Sequence, residues 1–259
     1  MVSLPTNLPY GGRIYSDILA EGLKYVDDRR KGRIQSFKLP WEDLNKLGVG
    51  GLEWGSMLTI GARPGSGKTM VTTQILREAA AHNPGYKFNI LEFQFEMGAK
   101  QQAARAFTAN TALDYNVILS TDRELEDYQF QRLQEYVENA KIMEKLGMHR
   151  VVIGNPLTCK EIEKAVHDYF KLLGGLPMII TIDHSWLVKK GANEKEKLDT
   201  LYNTAEMIMQ LKNTLPVIVI MITQLSRGID TADRKQPGNI GNYPTSSDIF
   251  GGELSNCHH

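Results

Sequence analysis

Cysteine is nearly absent. Cys159 and Cys257 stand far apart and without metal-knuckle spacing, which excludes a disulfide-stapled secreted scaffold and fits a reducing compartment. The terminal Cys257-His258-His259 reads as a frayed tail or a cloning remnant. Excess charge is absent too. Lys plus Arg equals Asp plus Glu, 30 each, so no overall basic field draws in nucleic acid. Such contact has to come from a local patch or from a surface built by several subunits. No apolar run is long enough to span a membrane, and no charged-then-apolar leader opens the chain. The histidines form no H-E-x-x-H pattern, and there is no internal repeat or low-complexity tract. What remains is ordinary globular composition, 42% apolar and 23% charged over 259 residues. That is enough for a sizeable core in one large domain or a domain with appendages.

One stretch organises the rest. The apolar run Met57-Leu58-Thr59-Ile60-Gly61 leads into Ala62-Arg63-Pro64-Gly65-Ser66-Gly67-Lys68-Thr69, then into Met70-Val71-Thr72-Thr73-Gln74-Ile75-Leu76. This order predicts strand, tight loop, helix. The loop carries Gly-Lys-Thr in the register of the phosphate-binding loop G-x-x-x-x-G-K-[ST], with Ala62 at the first glycine position. Glycines let backbone N–H groups approach an anion closely, and the helix that follows adds its positive end. Lys68 is expected to reach the β- and γ-phosphates, and the Thr69 hydroxyl to hold Mg²⁺.

Before the loop, residues 13–31 read as an amphipathic helix. Ile14, Ile18, Leu19, Leu23 and Val26 share one face, and Gly32 stops it. That face either packs on its own domain or docks on a neighbouring subunit. Residues 34–56 are loop-rich, with Trp41, Leu44, Leu47 and Leu52 expected to fold this segment onto the core. After the loop come a strand near 88–95, helices over 99–112 and 122–146, and a short strand at 151–153. A helix over 158–173, capped by Thr158 or a neighbouring residue and stopped by Gly174-Gly175, precedes the strand 178–183, a helix over 198–211 and the strand 217–222. The long 122–146 helix has a loose apolar face that includes Leu125, Tyr128, Leu133, Tyr136 and Val137. Residues 226–247 read as a loop. Strands alternating with helices predict an α/β fold with a mostly parallel sheet covered on both faces.

In an open parallel sheet, ligands sit at the carboxyl ends of the strands. Four of the predicted strands end in the phosphate loop, Glu96, Asp183 and Gln224. Asp183 follows an apolar run in the manner of a Walker B acid and would place Mg²⁺. Otherwise it caps the next helix. Glu96 can activate or orient water, or be a surface glutamate at a strand end. Gln224 can donate to a γ-phosphate oxygen, or be a loop glutamine bonded to backbone.

A family resemblance covers most of the chain. Ala62-Arg63-Pro64-Gly65-Ser66-Gly67-Lys68-Thr69 resembles the A-R-P-x-x-G-K-T loop of DnaB-type replicative helicases, in which alanine at the first glycine position is normal. Phe95-Glu96-Met97 is similar to the L-E-M segment of that family, Ile182-Asp183 to its Walker B, and Thr223-Gln224-Leu225-Ser226-Arg227 to its S-Q-L-N-R motif. Ser247-Asp248-Ile249-Phe250-Gly251-Gly252 resembles the start of its S-D-L-R-x-S-G segment, and Gly50-Gly51-Leu52-Glu53-Trp54-Gly55 fits its lead-in. The resemblance implies a RecA-like P-loop ATPase core at 36–259, preceded by an amino-terminal segment and linker helix at 1–35. It implies a ring of six that hydrolyses ATP with Mg²⁺ and moves on single-stranded DNA, with the residue 13–31 helix docked on the adjacent subunit. It further implies Glu96 as catalytic base, Gln224 as γ-phosphate sensor, a primase or helicase loader as partner, and a bacterial or phage-infected cytoplasm.

Departures limit the transfer. The family's amino-terminal primase-interaction domain has no counterpart in this sequence. The family core continues past the S-D segment to an arginine finger, whereas this sequence ends at His259. The core is therefore expected to be incomplete at its carboxyl end, and lack of such an arginine costs ~10³-fold or more in hydrolysis. His184-Ser185-Trp186 replaces the usual Y-L-Q. Nucleic-acid candidates are Lys189, Lys190, Lys195 and Lys197 after the Walker B strand, and Arg227, Arg234 and Lys235 after Gln224. The first group, interleaved with Glu194 and Glu196, is equally a solvated charge run. Two other classes stay open beside the helicase: a KaiC- or RadA-like ATPase, and a nucleotide-binding accessory subunit with little hydrolysis.

Overall fold

The structure is a computed structural model that describes residues 11–63, 65–144, 149–195, 197–225, 244, 245 and 248. Five strands form one sheet: β1 (Met57–Ala62), β2 (Asn89–Gln94), β3 (His149–Ile153), β4 (Met178–Asp183) and β5 (Val217–Gln224). All neighbouring strands run parallel, in the order β1-β5-β4-β2-β3. The longer helices are α1 (Tyr15–Arg30), α3 (Lys68–His82), α4 (Ala99–Thr111), α6 (Asp127–Glu144), α7 (Cys159–Leu172) and α8 (Lys197–Thr214). Two are short: α2 (Glu42–Leu47), within the loop-rich lead-in, and α5 (Tyr115–Ile118), between the two predicted helices.

Helices cover both faces, which is why β4 and β5 read as unbroken apolar runs rather than alternating ones. On one face Leu91, Phe93, Ile180 and Val219 pack with Ile162 and Val166 of α7 and with Leu201, Ile208 and Leu211 of α8. On the other, Ile90, Ile179, Ile218 and Ile220 pack with Ile75, Leu76 and Ala79 of α3. Each of the larger of these side chains (Ala79 excepted) contributes up to roughly 1.5–3 kcal/mol relative to exposure. Helix α7 begins where the sequence predicts. Thr158 accepts from the Glu161 N–H at 3.3 Å while the Glu161 carboxylate accepts from the Thr158 N–H at 2.8 Å.

Two expectations are corrected. In the lead-in, Trp41 and Leu52 pack on the α3-side core, but Leu44 and Leu47 of α2 face solvent. Phe37 and Leu39 fill that place, because a short bridge of Phe37 to Leu52 turns the preceding segment inward. Helix α6 starts later than expected, and among the described residues of its apolar face Leu133 is buried and Tyr136 half-buried, against Phe107 of α4, while Tyr128 and Val137 are exposed. It lies along α4, where Tyr136 meets Phe107 edge-on. Of the two readings of the α1 stripe, packing on its own domain fails. Leu19 is 54% exposed and Leu23 72%, with Ile18 and Val26 also in solvent.

Helix α1 is nevertheless fastened at its carboxyl end. Arg29 donates to Glu53 at 2.5 Å, to the Ser36 hydroxyl at 3.1 Å and to the Val49 carbonyl at 2.9 Å. Asp28, buried beside it, accepts from Arg33 at 2.7 Å and Lys24 at 2.6 Å.

Candidate active site

The sheet order places the carboxyl ends of β1, β5, β4 and β2 side by side. Ala62 lies opposite Gln224, and Gln94 opposite Asp183. Residues distant in sequence thus meet on one rim, as the strand-end pattern requires.

The phosphate loop leaves β1 at Ala62 and enters α3 at Lys68. Gly65 and Gly67 both have positive φ, 74° and 91°, and a Cβ on either would meet no atom within 4 Å. The glycines are required by the backbone turn, and the space beside them is open. Ser66 closes the turn by donating its hydroxyl to the Arg63 carbonyl at 2.6 Å. Lys68 reaches back over the loop, its ammonium 3.4 Å from the Ala62 carbonyl and 3.3 Å from the Arg63 carbonyl. Pro64 lies outside the described residues.

Thr69, one residue further into α3, donates its hydroxyl to Oδ2 of Asp183 at 3.0 Å. Asp183 is fully buried, and among the described residues its Oδ1 has no hydrogen-bond partner. Burial pushes this carboxyl above the ordinary aspartate range and the nearby Glu96 adds to the rise, while the Thr69 hydrogen bond, Lys68 and Arg105 oppose it. The Phe95 N–H donates to the Asp183 carbonyl at 3.0 Å, which carries the chain beyond β2 alongside β4 and fixes Glu96 next to the acid. Glu96 itself is exposed at the rim, between buried Phe95 and Met97.

Gln224 ends β5 half-buried beside the loop's first residue, and the following Leu225 N–H donates to the Ala62 carbonyl at 3.2 Å. His184, next after Asp183, is held below the ordinary imidazole range by burial. Ser185 and Thr223, both buried, share a hydroxyl hydrogen bond of 3.1 Å that ties the end of β4 to the end of β5. That tie has no sequence signature, since single hydroxyls at strand ends are common.

The remaining candidates fare differently. Lys189 and Lys190 are exposed, in a loop between β4 and α8, whereas Lys197 turns inward and donates to the Val188 carbonyl at 2.5 Å. Arg227, Arg234 and Lys235 lie outside the described residues, as do Ser226 and Ser247. Among the described residues no group of three or more His, Cys, Asp or Glu could hold a metal, and no helix is long and apolar enough to cross a membrane. The rim therefore offers one hydroxyl, one buried carboxylate, one exposed carboxylate, an ammonium and an amide around an open glycine loop.

Residues 37–247 match the family described as DnaB-like helicase C terminal domain. The chain is 24% identical over 230 residues to a replicative DNA helicase DnaB of Helicobacter pylori, covering 88% of this chain and 45% of that protein. It is 24% identical over 197 residues to the replicative DNA helicase DnaB of Haemophilus influenzae, covering 76% of this chain and 40% of the other. Among solved structures, the ATPase domain of G40P superposes with a TM-score of 0.77 at 16% identity, covering 93% of this chain and 80% of that one. A DnaB-like replicative helicase, described with its interactions with primase, gives 0.68 at 16% identity, covering 90% and 54%. The chain spans less than half the length of the Helicobacter and Haemophilus helicases. Its sheet and flanking helices have the fold of those ATPase domains.

Proposed function

The chain belongs to the family of DnaB-like helicase C-terminal domains, and on that footing we propose that it is the motor core of a replicative DNA helicase, coupling ATP hydrolysis to movement along single-stranded DNA. The observation that carries this reading is the Thr69–Asp183 hydrogen bond, which joins the phosphate loop to the acid at the end of β4 with a buried carboxylate oxygen left over.

The residues Ala62, Arg63, Pro64, Gly65, Ser66, Gly67, Lys68 and Thr69 would cradle the triphosphate, with loop N–H groups and the Lys68 ammonium on its β- and γ-oxygens. A hard cation prefers oxygen ligands, and the donor set suits one. Thr69 spends its proton on Asp183 and keeps its lone pairs, while Asp183 Oδ1 is unpartnered and buried. Thr69 and Asp183 would therefore hold Mg²⁺, which when bound neutralises charge on the phosphates. Glu96, exposed on the rim beside Asp183, would orient water for in-line attack and take its proton. Gln224 would donate its amide to a γ-phosphate oxygen. Its neighbour Leu225 is bonded to Ala62, so a shift of Gln224 is felt at the start of the loop.

Residues 1–35 serve in this reading as linker and 36–259 as ATPase core. The exposed apolar stripe of α1 would dock on an adjacent subunit in a ring of six. A contiguous apolar face in solvent is costly for a monomer and normal at an interface. Single-stranded DNA would contact Lys189 and Lys190, with Arg227, Arg234 and Lys235 as further candidates. A primase or helicase loader would be the replication partner, in a bacterial or phage-infected cytoplasm.

The test is steady-state ATP hydrolysis with and without single-stranded DNA, on a sample whose subunit count is measured by mass. Stimulation by DNA in a multimer, abolished in Glu96→Gln, is expected. A monomer with DNA-independent turnover would refute the helicase reading, and nucleotide binding without turnover would favour an accessory subunit.

A further inference from the structure

The segment between β4 and α8 reads in sequence as a run of alternating charge, yet among its described residues the backbone is fastened at Lys189, Gly191 and Lys195. The Lys189 N–H donates to the Leu157 carbonyl at 2.8 Å, just ahead of α7. The Lys195 N–H donates to Asp199 at 2.7 Å, and the Lys190 ammonium to the Lys195 carbonyl. At the centre is Glu194. Its Oε2 accepts from the Gly191 N–H at 2.7 Å and the Thr200 hydroxyl at 2.7 Å, and its Oε1 from the Asn203 amide at 2.6 Å. The first bond closes the loop on itself. The other two lock it to the first turns of α8, through a threonine that is fully buried.

A solvated surface glutamate makes no such set of contacts. Charge-assisted bonds to three donors exceed neutral ones in strength and fix the carboxylate's direction. Burial alone would raise this carboxyl. Asn203, Thr200 and Gly191 overcome it, so the group is held below the ordinary glutamate range and stays ionised. Gly191 approaches closely: a Cβ there would lie 3.2 Å from Glu194 Oε1. Loop and carboxylate are built around each other, and Lys189 and Lys190, both exposed, sit on the strand side of this closure.

We propose that Glu194 is a positioning residue for nucleic-acid binding: it clasps the 189–195 loop onto α8 and so sets where Lys189 and Lys190 meet the phosphates of a single strand. The inference rests on the helicase reading of the loop. Without the clasp, the loop gains freedom that must be lost again on binding, and the two lysines no longer approach the backbone together.

Binding of fluorescein-labelled oligothymidylate to the full chain, followed by anisotropy over a series of salt concentrations, tests it. Glu194→Ala is expected to weaken binding about tenfold. It should also flatten the plot of log affinity against log salt by about 0.7, the value of one lost phosphate contact on a single strand. A second variant, Thr200→Val with Asn203→Ala, removes the α8 donors without touching the loop sequence, and should reproduce both effects. Parental affinity and slope in both variants would overturn the clasp. So would loss of binding to a fluorescent ATP analogue in both, which would mark general unfolding. Lys189→Ala with Lys190→Ala separates this from the reading beneath it: parental DNA binding there refutes the loop as a DNA contact, whereas weakened binding there with a parental Glu194→Ala refutes only the clasp.

Discussion

Arg29→Ala should detach α1 from the core without unfolding the core. The exposed apolar stripe gives α1 no packing of its own, so the fastening at its carboxyl end carries the attachment. Arg29 makes three of those ties, to Glu53, Ser36 and the Val49 carbonyl. At ~0.5–1.5 kcal/mol net per hydrogen bond the three would sum to about 1.5–4.5 kcal/mol. The side chains of Arg29 and Glu53 are 26% and 38% exposed, so solvent screening holds the ion-pair part near the low end. A loss of about 2 kcal/mol follows, and the Tyr25 hydroxyl still donates to Glu53 at 2.6 Å. A free helix of this length is marginal in water. Detachment should therefore speed amide hydrogen exchange across Tyr15–Arg30, by about tenfold for each 1.4 kcal/mol. Exchange in β4 and β5 should stay as in the parent. Unchanged exchange in α1 would refute the claim that Arg29 holds it. Equal acceleration in β4 would show that α1 and the core unfold as one unit.

Leu23→Asp should lower the subunit count measured by mass while leaving the thermal midpoint of the monomer unmoved, since Leu23 is exposed and touches no core. Thr158→Ala should cost about 1 kcal/mol in urea unfolding by removing the α7 cap. Ile180→Ala, at a fully buried sheet position, should cost ~2–5 kcal/mol in the same assay. Glu194 predicts a pH effect. Its folded-state pKa is depressed, so its contribution is complete above the unfolded value of about 4.3 and is lost as pH falls through the lower folded value. The groups around it are the Gly191 N–H, Thr200 and Asn203, with Asp199, Lys197 and Cys159 further out. Acid titration of stability should be shallower in the variant lacking Thr200 and Asn203 donors than in the parent, and equal slopes would count against the assignment.

The phosphate loop was legible because its chemistry is local. Glycines at Gly65 and Gly67, a lysine and a threonine must occur together in one turn, and flanking apolar runs announce the strand and helix that hold them. Buried parallel strands are similarly plain in sequence, since β4 and β5 have no polar face to blur them. That Asp183 and Gln224 would stand at strand ends followed from the same runs. What sequence could not supply was adjacency. Thr69 meets Asp183, and Ala62 meets Gln224, only because the strands order as β1-β5-β4-β2-β3, and strand order depends on long-range packing of α3 against α7 and α8 through the sheet. The side on which α1 turns its stripe, the exposure of Leu44 and Leu47, and the inward turn of Glu194 were likewise decided in three dimensions. Periodicity records that a face is apolar or a loop charged. Whether another element lies within reach to cover that face, or to donate to that carboxylate, is a property of the folded whole.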